Sequence, residues 1–371
     1  MNHRQKKQLV DAIKKDFDER KLKRRELELQ WRLNLDFYHG KQNSFITSFE
    51  TMTSATKQFH WQRQDSFNHI APIIEARLAR IASEFVDPDE LREQATIWSE
   101  VTGSAFYKTV WNDGIKTSVH SPFEIYPDNL SAQDISEVKS IIHAKYLDVL
   151  AIKESWGVDL THLGEESVLV IERYERPCKE RAGGRLSIVA ADKLVFDGDL
   201  PFVTQIPFVC QTSESMVGNF FGKSVIERAI PVQRAYNTVK NRKVEFLNRM
   251  ACGVLAVEEG SVDLESLEAD GLAPGKVIVY RHGTTPPKFM ETGSLPAELE
   301  REEERLLREF ETICGGGEIS RSSVNATATA MEILEDRDGR RMSRAITSVK
   351  KAISEVQHHI HQLEDQFKWK K

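Results

Sequence analysis

The amino-acid sequence predicts an α+β fold that is mainly α. The first observation behind this prediction is the last segment, 326–369, where apolar residues alternate at steps of four and three, as in a helix packed along its length. The second is a pair of amphipathic segments, 224–251 and 296–313, with helical period and opposite charge. The third is a set of short runs between 104 and 210, bounded by Gly, Pro and Asn, whose apolar and β-branched residues predict strands.

Length and composition limit the classes of protein to which the chain can belong. With 371 residues and 40% hydrophobic content, it is long enough for two or more folded modules. No apolar run approaches the roughly 20 residues of a membrane-spanning helix, and the N-terminal segment lacks the apolar block of a secretory signal. The net charge of −6 argues against DNA binding by the whole surface. The cysteines have no paired zinc spacing, which predicts reduced thiols: Cys178, Cys210, Cys252 and Cys314.

Three helices are predicted in roughly the first hundred residues. Residues 4–38 are predicted as one long helix. Its apolar side includes Leu9, Ile13 and Phe17. Gly40 marks its predicted end. The second helix lies in FNHIAPIIEARLARIASEF and is entered at about Pro72. The third lies in DPDELREQATIWSEVTGSAF and begins at Asp87 and Pro88, because proline fits the first turn of a helix.

The next hundred residues are predicted to be rich in strands. SAFYKTVW and IKTSVHS flank Asn112, Asp113 and Gly114, which is the pattern of a hairpin. SPFEIYPDN is predicted to lead from the hairpin into a loop, and residues 131–157 are predicted to be helical in part. Residues 165–210 contain three β-rich runs broken by Gly and Pro, SVLVIERYERPC, GRLSIVAADKLVFDG and IPFVCQ, and they predict a meander.

The predicted helix 224–251 is kinked or interrupted at Pro231. Its apolar stripe consists of Ala229, Val232, Tyr236, Val239, Phe246 and Met250. The rest of this helix is basic, with Arg234, Lys240, Arg242, Lys243 and Arg249. The predicted helix 296–313 is acidic and has its own stripe, Leu299, Leu306, Phe310 and Ile313. Between the two helices, CGVLAVEEG and GKVIVYRHG are predicted as strands around an acidic segment.

The last helix, 326–369, has the most regular apolar stripe of the chain. The stripe consists of Met342, Ile346, Val349, Ile353, Val356, Ile360, Leu363 and Phe367. Heptad spacing of this kind favours helix–helix packing, either inside one subunit or between subunits. Both alternatives remain open from the sequence.

No catalytic, cofactor-binding or metal site is predicted. VGNFFGKS resembles a phosphate-binding loop, but only three residues separate Gly218 from Gly222, where the motif needs four. The segment therefore predicts a turn that starts a helix at about Ser224. In HHIH, His358 and His361 can share a helix face, but Ile360 belongs to the apolar stripe, which favours a solvated face over a metal site. PDELREQ lacks the Glu-x-Lys pair of a nuclease signature, and no Ser/His/Asp or Cys/His arrangement is present.

Five phrases, in this order, resemble tailed-bacteriophage portal proteins, the head-to-tail connectors. They are WRLNLDFYHGKQ, FNHIAPIIEARLARI, the stretch from ATIWSEVTGSAFYKTVWNDG to VHSPFEIYPDN, GKSVIERAIPVQRAYNTVKNRKVEFLNRMA and GGGEISRSSVNATATAMEILEDRD. The resemblance extends in pieces over most of the chain. It departs from the family at ASEFVDP, where relatives have more sequence, and after the long helix, where relatives often continue into a crown that is not expected here.

The resemblance implies a non-enzymatic subunit of a ring, typically a dodecamer, around a channel at one capsid vertex. The family's ring passes double-stranded DNA during packaging and ejection, and it docks the terminase large subunit, the capsid and head-tail adaptors. In this sequence the implied parts are a wing (1–223), two stem helices (224–251 and 296–313), a clip (252–295), a tunnel loop (314–325) and the long helix (326–371). The implied location is the virion, with no membrane partner.

The resemblance also implies three sets of site residues. The tunnel loop would contact DNA through Gly315, Gly316, Gly317, Ser320, Arg321, Ser322, Ser323 and Asn325. The channel-lining face of the second stem helix would be Glu300, Arg301, Glu304, Arg308 and Glu311. The clip would dock the motor through Glu258, Glu259, Asp263, Glu265, Glu268 and Asp270.

Each of these sets has a plainer interpretation. The loop also fits a linker in which Asn325 or Thr327 caps the last helix, and both charged sets also fit solvated surfaces. Two other functions remain open from the sequence: a helical oligomeric scaffold or adaptor that does not enclose DNA, and a DNA-processing enzyme with an unrecognised site.

Overall fold

The computed structural model of the chain describes residues 2–41, 68–179, 181–201, 206–252, 254–262, 278–290, 295–314 and 328–368. The chain divides into two compact units, one formed by Met1–Pro231 with Glu311–Lys371 and the other by Val232–Phe310. Helices and antiparallel sheets are both present, so the α+β prediction is confirmed. None of the helices in these ranges combines the length and the hydropathy needed to span a lipid bilayer.

Eight α-helices lie in the described part of the chain. They are α1 (His3–Lys23), α2 (Arg25–Tyr38), α3 (Ile70–Ala82), α4 (Glu90–Thr102), α5 (Val149–Trp156), α6 (Val225–Cys252), α7 (Ala297–Cys314) and α8 (Ala328–Lys368). The predicted helices 224–251, 296–313 and 326–369 are confirmed to within two residues at each end. Helix α6 also passes through Pro231 without interruption.

The described strands form three antiparallel sheets. They are β1 (Ser104–Trp111), β2 (Ile115–His120), β3 (Ile125–Pro127), β4 (Ser140–Asp148), β5 (Ser167–Glu175), β6 (Arg185–Ala190), β7 (Lys193–Gly198), β8 (Phe208–Thr212), β9 (Val254–Ala256) and β10 (Lys288–Met290). The sheet orders are β2-β1-β8, β3-β4-β5-β6-β7 and β9-β10. The first two sheets belong to the first unit and the third to the second unit.

The predicted hairpin is confirmed, because its turn is encoded locally. The Asn112 amide donates to the Gly114 carbonyl at 2.8 Å, and Asp113 adopts a left-handed φ of 54°. Asparagine, aspartate and glycine tolerate such a backbone better than other residues, so three adjacent residues specify the turn.

Several strand predictions are wrong where pairing is not local. IPFVCQ does not continue the meander of β5, β6 and β7, because β8 pairs with β1, with Phe106 opposite Cys210. SPFEIYPDN, which is predicted to lead into a loop, contains the short strand β3. The prediction that 131–157 is helical in part is confirmed by α5, but the sequence does not predict the strand β4 in the same segment. GKVIVYRHG is not the partner of β9, since its described residues 278–283 lie outside strands and Lys288–Met290 pairs there instead.

The predicted single helix 4–38 is divided at Arg24, whose side chain is only 1% exposed. Its guanidinium donates to the carbonyl oxygens of Pro122 at 2.5 Å, Phe123 at 2.8 Å and Ile125. It also stacks over the Tyr126 ring, 3.7 Å from the ring centroid. A buried cation requires such partners, so the helix break accompanies the docking of Arg24 onto the turn that leads into β3.

Other details of the N-terminal helices agree with the sequence. Ile13 and Phe17 are buried, Leu9 packs beside them, and Gly40 follows the end of α2 with a φ of 80°. The start of α4 is the exception. Asp89, and not Asp87 or Pro88, caps this helix, because its carboxylate accepts from the Leu91 amide at 3.0 Å.

The apolar stripe of α8 is covered by the chain itself. Met342, Ile346 and Val349 pack with Ile81 of α3. Further along, Ala352 and Val356 pack with residues of α4, β1 and β8. Near its end, Phe367 stacks on Trp111 with ring centroids 5.0 Å apart. The heptad spacing left open whether α8 packs inside one subunit or between subunits. In the structure, its stripe packs on other elements of the same chain.

The segment that resembles a phosphate loop is a close crossing of two backbones. Phe220 and Phe221 are 4% and 3% exposed and belong to the largest apolar cluster, with Trp31 and Phe106. The next residue, Gly222, passes so near Gly103 that a Cβ on Gly222 would clash with the Gly103 carbonyl oxygen, and it would lie 2.8 Å from that of Glu214. Phosphate could not enter between them.

Gly222→Ala is therefore predicted to lower the free energy of unfolding by about 1–3 kcal/mol, the usual cost of overpacking a closed site. Urea unfolding followed by circular dichroism measures this loss. Gly218→Asn is the matched control, since nothing lies within 4 Å of its Cβ position and asparagine tolerates its φ of 77°. Equal stability of the two variants would contradict the crossing.

Candidate functional site

Helices α6 and α7 are joined by ion pairs centred on Glu303. Its carboxylate binds Lys240, and it lies 3.3 Å from Lys243, which is also 3.7 Å from Glu300. The Tyr236 hydroxyl donates to Glu303 at 3.4 Å. Tyr236, Lys240 and Lys243 all contact Glu303, and Lys243, the last of the three along α6, also reaches Glu300, about one turn earlier on α7. The two helices are therefore antiparallel neighbours.

The charges at this junction stabilise each other. Burial raises the pKa of the Glu303 carboxyl, but the hydrogen bond and charge of Lys240 outweigh it and leave the pKa lowered. Burial lowers the pKa of Lys240, and Glu303 outweighs that effect in the other direction. Both groups are therefore ionised at neutral pH. The predicted complementarity of a basic and an acidic helix is confirmed for these residues.

The burial of apolar side chains is uneven along the two helices. Val232 and Tyr236 of α6 are 6% and 4% exposed, and Leu306 and Phe310 of α7 are 2% and 1% exposed. Towards the end of α6, the predicted stripe residue Met250 is 36% exposed. The predicted apolar stripes are thus buried at the beginning of α6 and towards the end of α7, whereas Met250 near the end of α6 is exposed.

The predicted channel-lining residues lie mostly on the exposed side of α7. Glu300, Arg301, Glu304 and Arg308 are exposed, and Glu311 is half-buried. The side chains of Glu304 and Arg308 form an ion pair of 3.1 Å one turn apart, and each is 69% exposed. Arg305 pairs in the same way with Glu302 and Glu309. Such exposed pairs add little stability, but they keep opposite charges close together along the surface.

One residue of α4, Glu100, connects the start of α6 with the end of α7. Its main-chain carbonyl accepts from the Ser224 hydroxyl at 2.6 Å, and that hydroxyl in turn accepts from the Ile226 amide at 3.0 Å and caps α6. Its carboxylate lies 2.6 Å from Arg77 of α3. Arg77 also donates to the carbonyl of Cys314, the last residue of α7, at 2.7 Å.

This Glu100 cluster, formed by Arg77, Glu100, Ser224 and Cys314, is almost fully buried. It satisfies main-chain groups at two helix ends that would otherwise lack partners. No local sequence pattern indicates the cluster, because its members are distributed over more than two hundred positions.

The predicted tunnel-loop residues lie outside the described residues. They are Gly315, Gly316, Gly317, Ser320, Arg321, Ser322, Ser323 and Asn325. The structure describes the residue immediately before them, Cys314, and assigns it to α7 and not to the loop. Arg77 donates to the Cys314 carbonyl, so this last described residue of α7 is tied to α3.

The predicted clip set is described only at Glu258 and Glu259. Both side chains are exposed. The Glu258 carboxylate accepts from the Thr285 amide at 2.8 Å, a hydrogen bond that lowers its pKa. Glu258 therefore serves a contact within its own unit. The other members, Asp263, Glu265, Glu268 and Asp270, lie outside the described residues.

A second polar cluster, which the sequence did not reveal, lies between the first two sheets. It contains His120 from β2, Glu124 from the turn before β3, His143 from β4, Glu172 from β5 and Lys108 from β1. The two imidazole rings meet edge to face, with centroids 4.4 Å apart. Only the spacing of His120 and Glu124 is local, so the pattern could not be recognised along the chain.

The carboxylates of this cluster are ionised. Burial raises the pKa of Glu124, but hydrogen bonds from His120 and His143 outweigh it and lower the pKa to about 2. Burial also raises the pKa of Glu172, and the charge of Lys108 and the hydrogen bond of His143 lower it far more. Burial is the main cause of the lowered pKa of His120.

By contrast, HHIH has no such surroundings. His358 and His361 are exposed, and their ring nitrogens lie 2.8 Å from Gln362 and 3.7 Å from Glu364. Both contacts are made within α8. The solvated helix face predicted for this segment agrees with these positions.

Comparison with known proteins gives no assignment. No family model matches the chain, and no curated protein matches it at the significance level required.

Arg77→Met is predicted to lower the free energy of unfolding by about 3–5 kcal/mol, because it leaves the Glu100 carboxylate buried without its cation. The double variant Arg77→Met/Glu100→Gln is predicted to lose less than the single variant, since no charge then remains buried. Thermal and urea unfolding measure both. Arg80→Met, at an exposed position of the same helix, is the control and should change little. A double variant less stable than Arg77→Met would contradict this account.

Proposed function

We propose that the chain is a portal subunit of a tailed bacteriophage, which forms a ring-shaped channel for double-stranded DNA. The observation that carries the proposal is the antiparallel pair α6 and α7, joined through Lys240, Lys243 and Glu303. The resemblance expects two stem helices at these positions. Helices far apart would have argued against it. The α+β fold and the long helix α8 are compatible with the same assignment.

The Glu100 cluster supports the stem assignment. It holds the first turn of α6 and the last carbonyl of α7 on the same two helices, α3 and α4. A stem that leaves and re-enters its wing needs such a double attachment. The buried ion pair also resists separation, because freeing either charge inside the protein is costly.

The exposed charges of α7 suit a surface past which DNA slides. In a ring, each exposed group on this helix is repeated once per subunit. Glu300 and Glu304 repel phosphates, while Arg301 and Arg308 attract them. Arg308 is paired with Glu304 on its own helix, which reduces its pull on DNA. Long-lived contacts are thereby avoided, as a conduit requires.

The remaining roles follow from the resemblance. Residues 315–325 would contact DNA in the channel, and the acidic clip would dock the terminase large subunit or a head-tail adaptor. The subunit would lie in the virion at the capsid vertex and would not itself hydrolyse ATP. The backbone crossing at Gly222 supports this last point, because it removes the nearest candidate for a phosphate-binding loop.

The alternative, a helical scaffold that does not enclose DNA, is less well supported. It would oligomerise through the heptad stripe of α8, and that stripe is largely covered by α3, α4, β1 and β8 of the same chain. Electron microscopy of the purified full chain separates the two. Rings with a central hole are expected for a portal, whereas rods or solid bundles would support the scaffold. ATPase and nuclease assays test the enzyme alternative.

Glu304→Lys is predicted to strengthen the hold of assembled rings on double-stranded DNA. It replaces an exposed anion by a cation and removes one ion-pair partner of Arg308. We expect log affinity to fall more steeply with log salt concentration, by about 0.9 for each additional phosphate that the ring neutralises. Binding to labelled DNA at several salt concentrations measures the slope.

Glu154→Lys is the matched control, because it makes the same charge change at an exposed position of α5. Equal slopes for Glu304→Lys, Glu154→Lys and the unchanged ring would argue against α7 as the lining of the channel.

A further inference from the structure

We propose that His120, Glu124 and His143 bind a divalent transition-metal ion, with Zn²⁺ the best match. The site is independent of the proposed portal function, and it was not expected from the sequence. Two imidazole nitrogens and a carboxylate oxygen converge there from three different elements, and all three lie within 4.8 Å of one another. Nitrogen and oxygen donors of this kind are the usual zinc ligands in proteins, together with cysteine sulfur.

The distances between the three donor atoms fit one ion. His120 Nδ1 lies 2.7 Å from Glu124 Oε2, His143 Nε2 lies 3.2 Å from His120 Nδ1, and His143 Nε2 lies 3.3 Å from Glu124 Oε2. Tetrahedral zinc with bonds of about 2.0–2.1 Å separates its ligands by about 3.3 Å. Two of the three edges have this length already. The third needs only to lengthen by about half an ångström.

The size of the triangle also matches the ion. Its circumscribed circle has a radius of about 1.8 Å, which is shorter than a zinc–nitrogen bond of about 2.0 Å. An ion about 1 Å above the plane is therefore equidistant from all three donors at a normal bond length.

The outer ring nitrogens have the partners that orient metal-binding histidines. His143 Nδ1 lies 3.2 Å from the Glu172 carboxylate, and His120 Nε2 lies 2.9 Å from the Ser118 hydroxyl. A ligating histidine almost always donates its other N–H to such an oxygen, which fixes the ring and selects the free nitrogen that faces the metal. Glu172 is itself held by Lys108 at 2.5 Å and by the Tyr174 hydroxyl at 2.7 Å.

Burial and charge agree with this assignment. The side chains of His120 and His143 are 7% and 6% exposed, whereas that of Glu124 is 24% exposed. An ion would therefore enter from the side of Glu124, the most exposed of the three ligands. The charge of Lys108 offsets that of Glu172, so Glu124 leaves the site with one net negative charge, which favours a dication. The ion would tie the β2-β1-β8 sheet to the five-stranded sheet.

The test is a titration of the purified full chain with ZnCl₂ after treatment with a chelator, followed by calorimetry in buffer containing MgCl₂. One Zn²⁺ per chain is expected. Glu124→Gln, at the partly exposed ligand, is expected to fold normally by circular dichroism and to lose at least tenfold in affinity. Glu172→Gln is expected to lose about 10–100-fold, because it replaces the charged carboxylate partner of His143 by a neutral amide.

The double variant His358→Ala/His361→Ala is the control, since it removes two exposed histidines from α8. It should bind zinc like the unchanged chain. Cobalt used as a spectroscopic probe should give the strong visible absorption of a tetrahedral site, and Glu124→Gln should weaken it. No saturable binding, or binding lost in the control and kept in Glu124→Gln, would overturn the proposal.

Discussion

The structure depends on the ion pair between Arg77 and Glu100, which is buried where α3, α4, α6 and α7 meet. An isolated charge at this depth would be costly, so neither residue can be withdrawn from the other. Arg77 also fixes the last carbonyl of α7, and the Glu100 main chain fixes the cap of α6. The start of α6 and the end of α7, which are distant in sequence, are thereby attached to the same pair of helices, α3 and α4.

Buried arginines also hold the turn between β2 and β3 in place. The Arg24 guanidinium donates hydrogen bonds to carbonyl oxygens of this turn. Arg20 donates to the carbonyls of Tyr126 and Ser140 near the adjoining edge of the five-stranded sheet. Guanidinium groups satisfy several acceptors at once, which suits a turn with few partners of its own. Glu124 lies within this turn, so the arginine that divides the N-terminal helix also positions a side chain of the proposed metal site.

The sequence predicted those features that depend on neighbouring residues. The hairpin turn at Asp113, the apolar stripe of α8 and the opposite charges of α6 and α7 are encoded in local patterns. The partner of β8, the burial of Arg24 and the meeting of His120 with His143 depend on residues brought together only by the folded chain. Tertiary contacts override local preference in such cases, and a single sequence contains no record of them.

The crossing of Gly103 and Gly222 has a mechanical consequence. Where two main chains touch directly, no side chain lies between them to rotate aside and absorb a displacement. Gly103 ends α4, and Gly222 stands just before α6. A displacement of the first turn of α6 is therefore transmitted directly to α4 and β1, which makes this joint stiff.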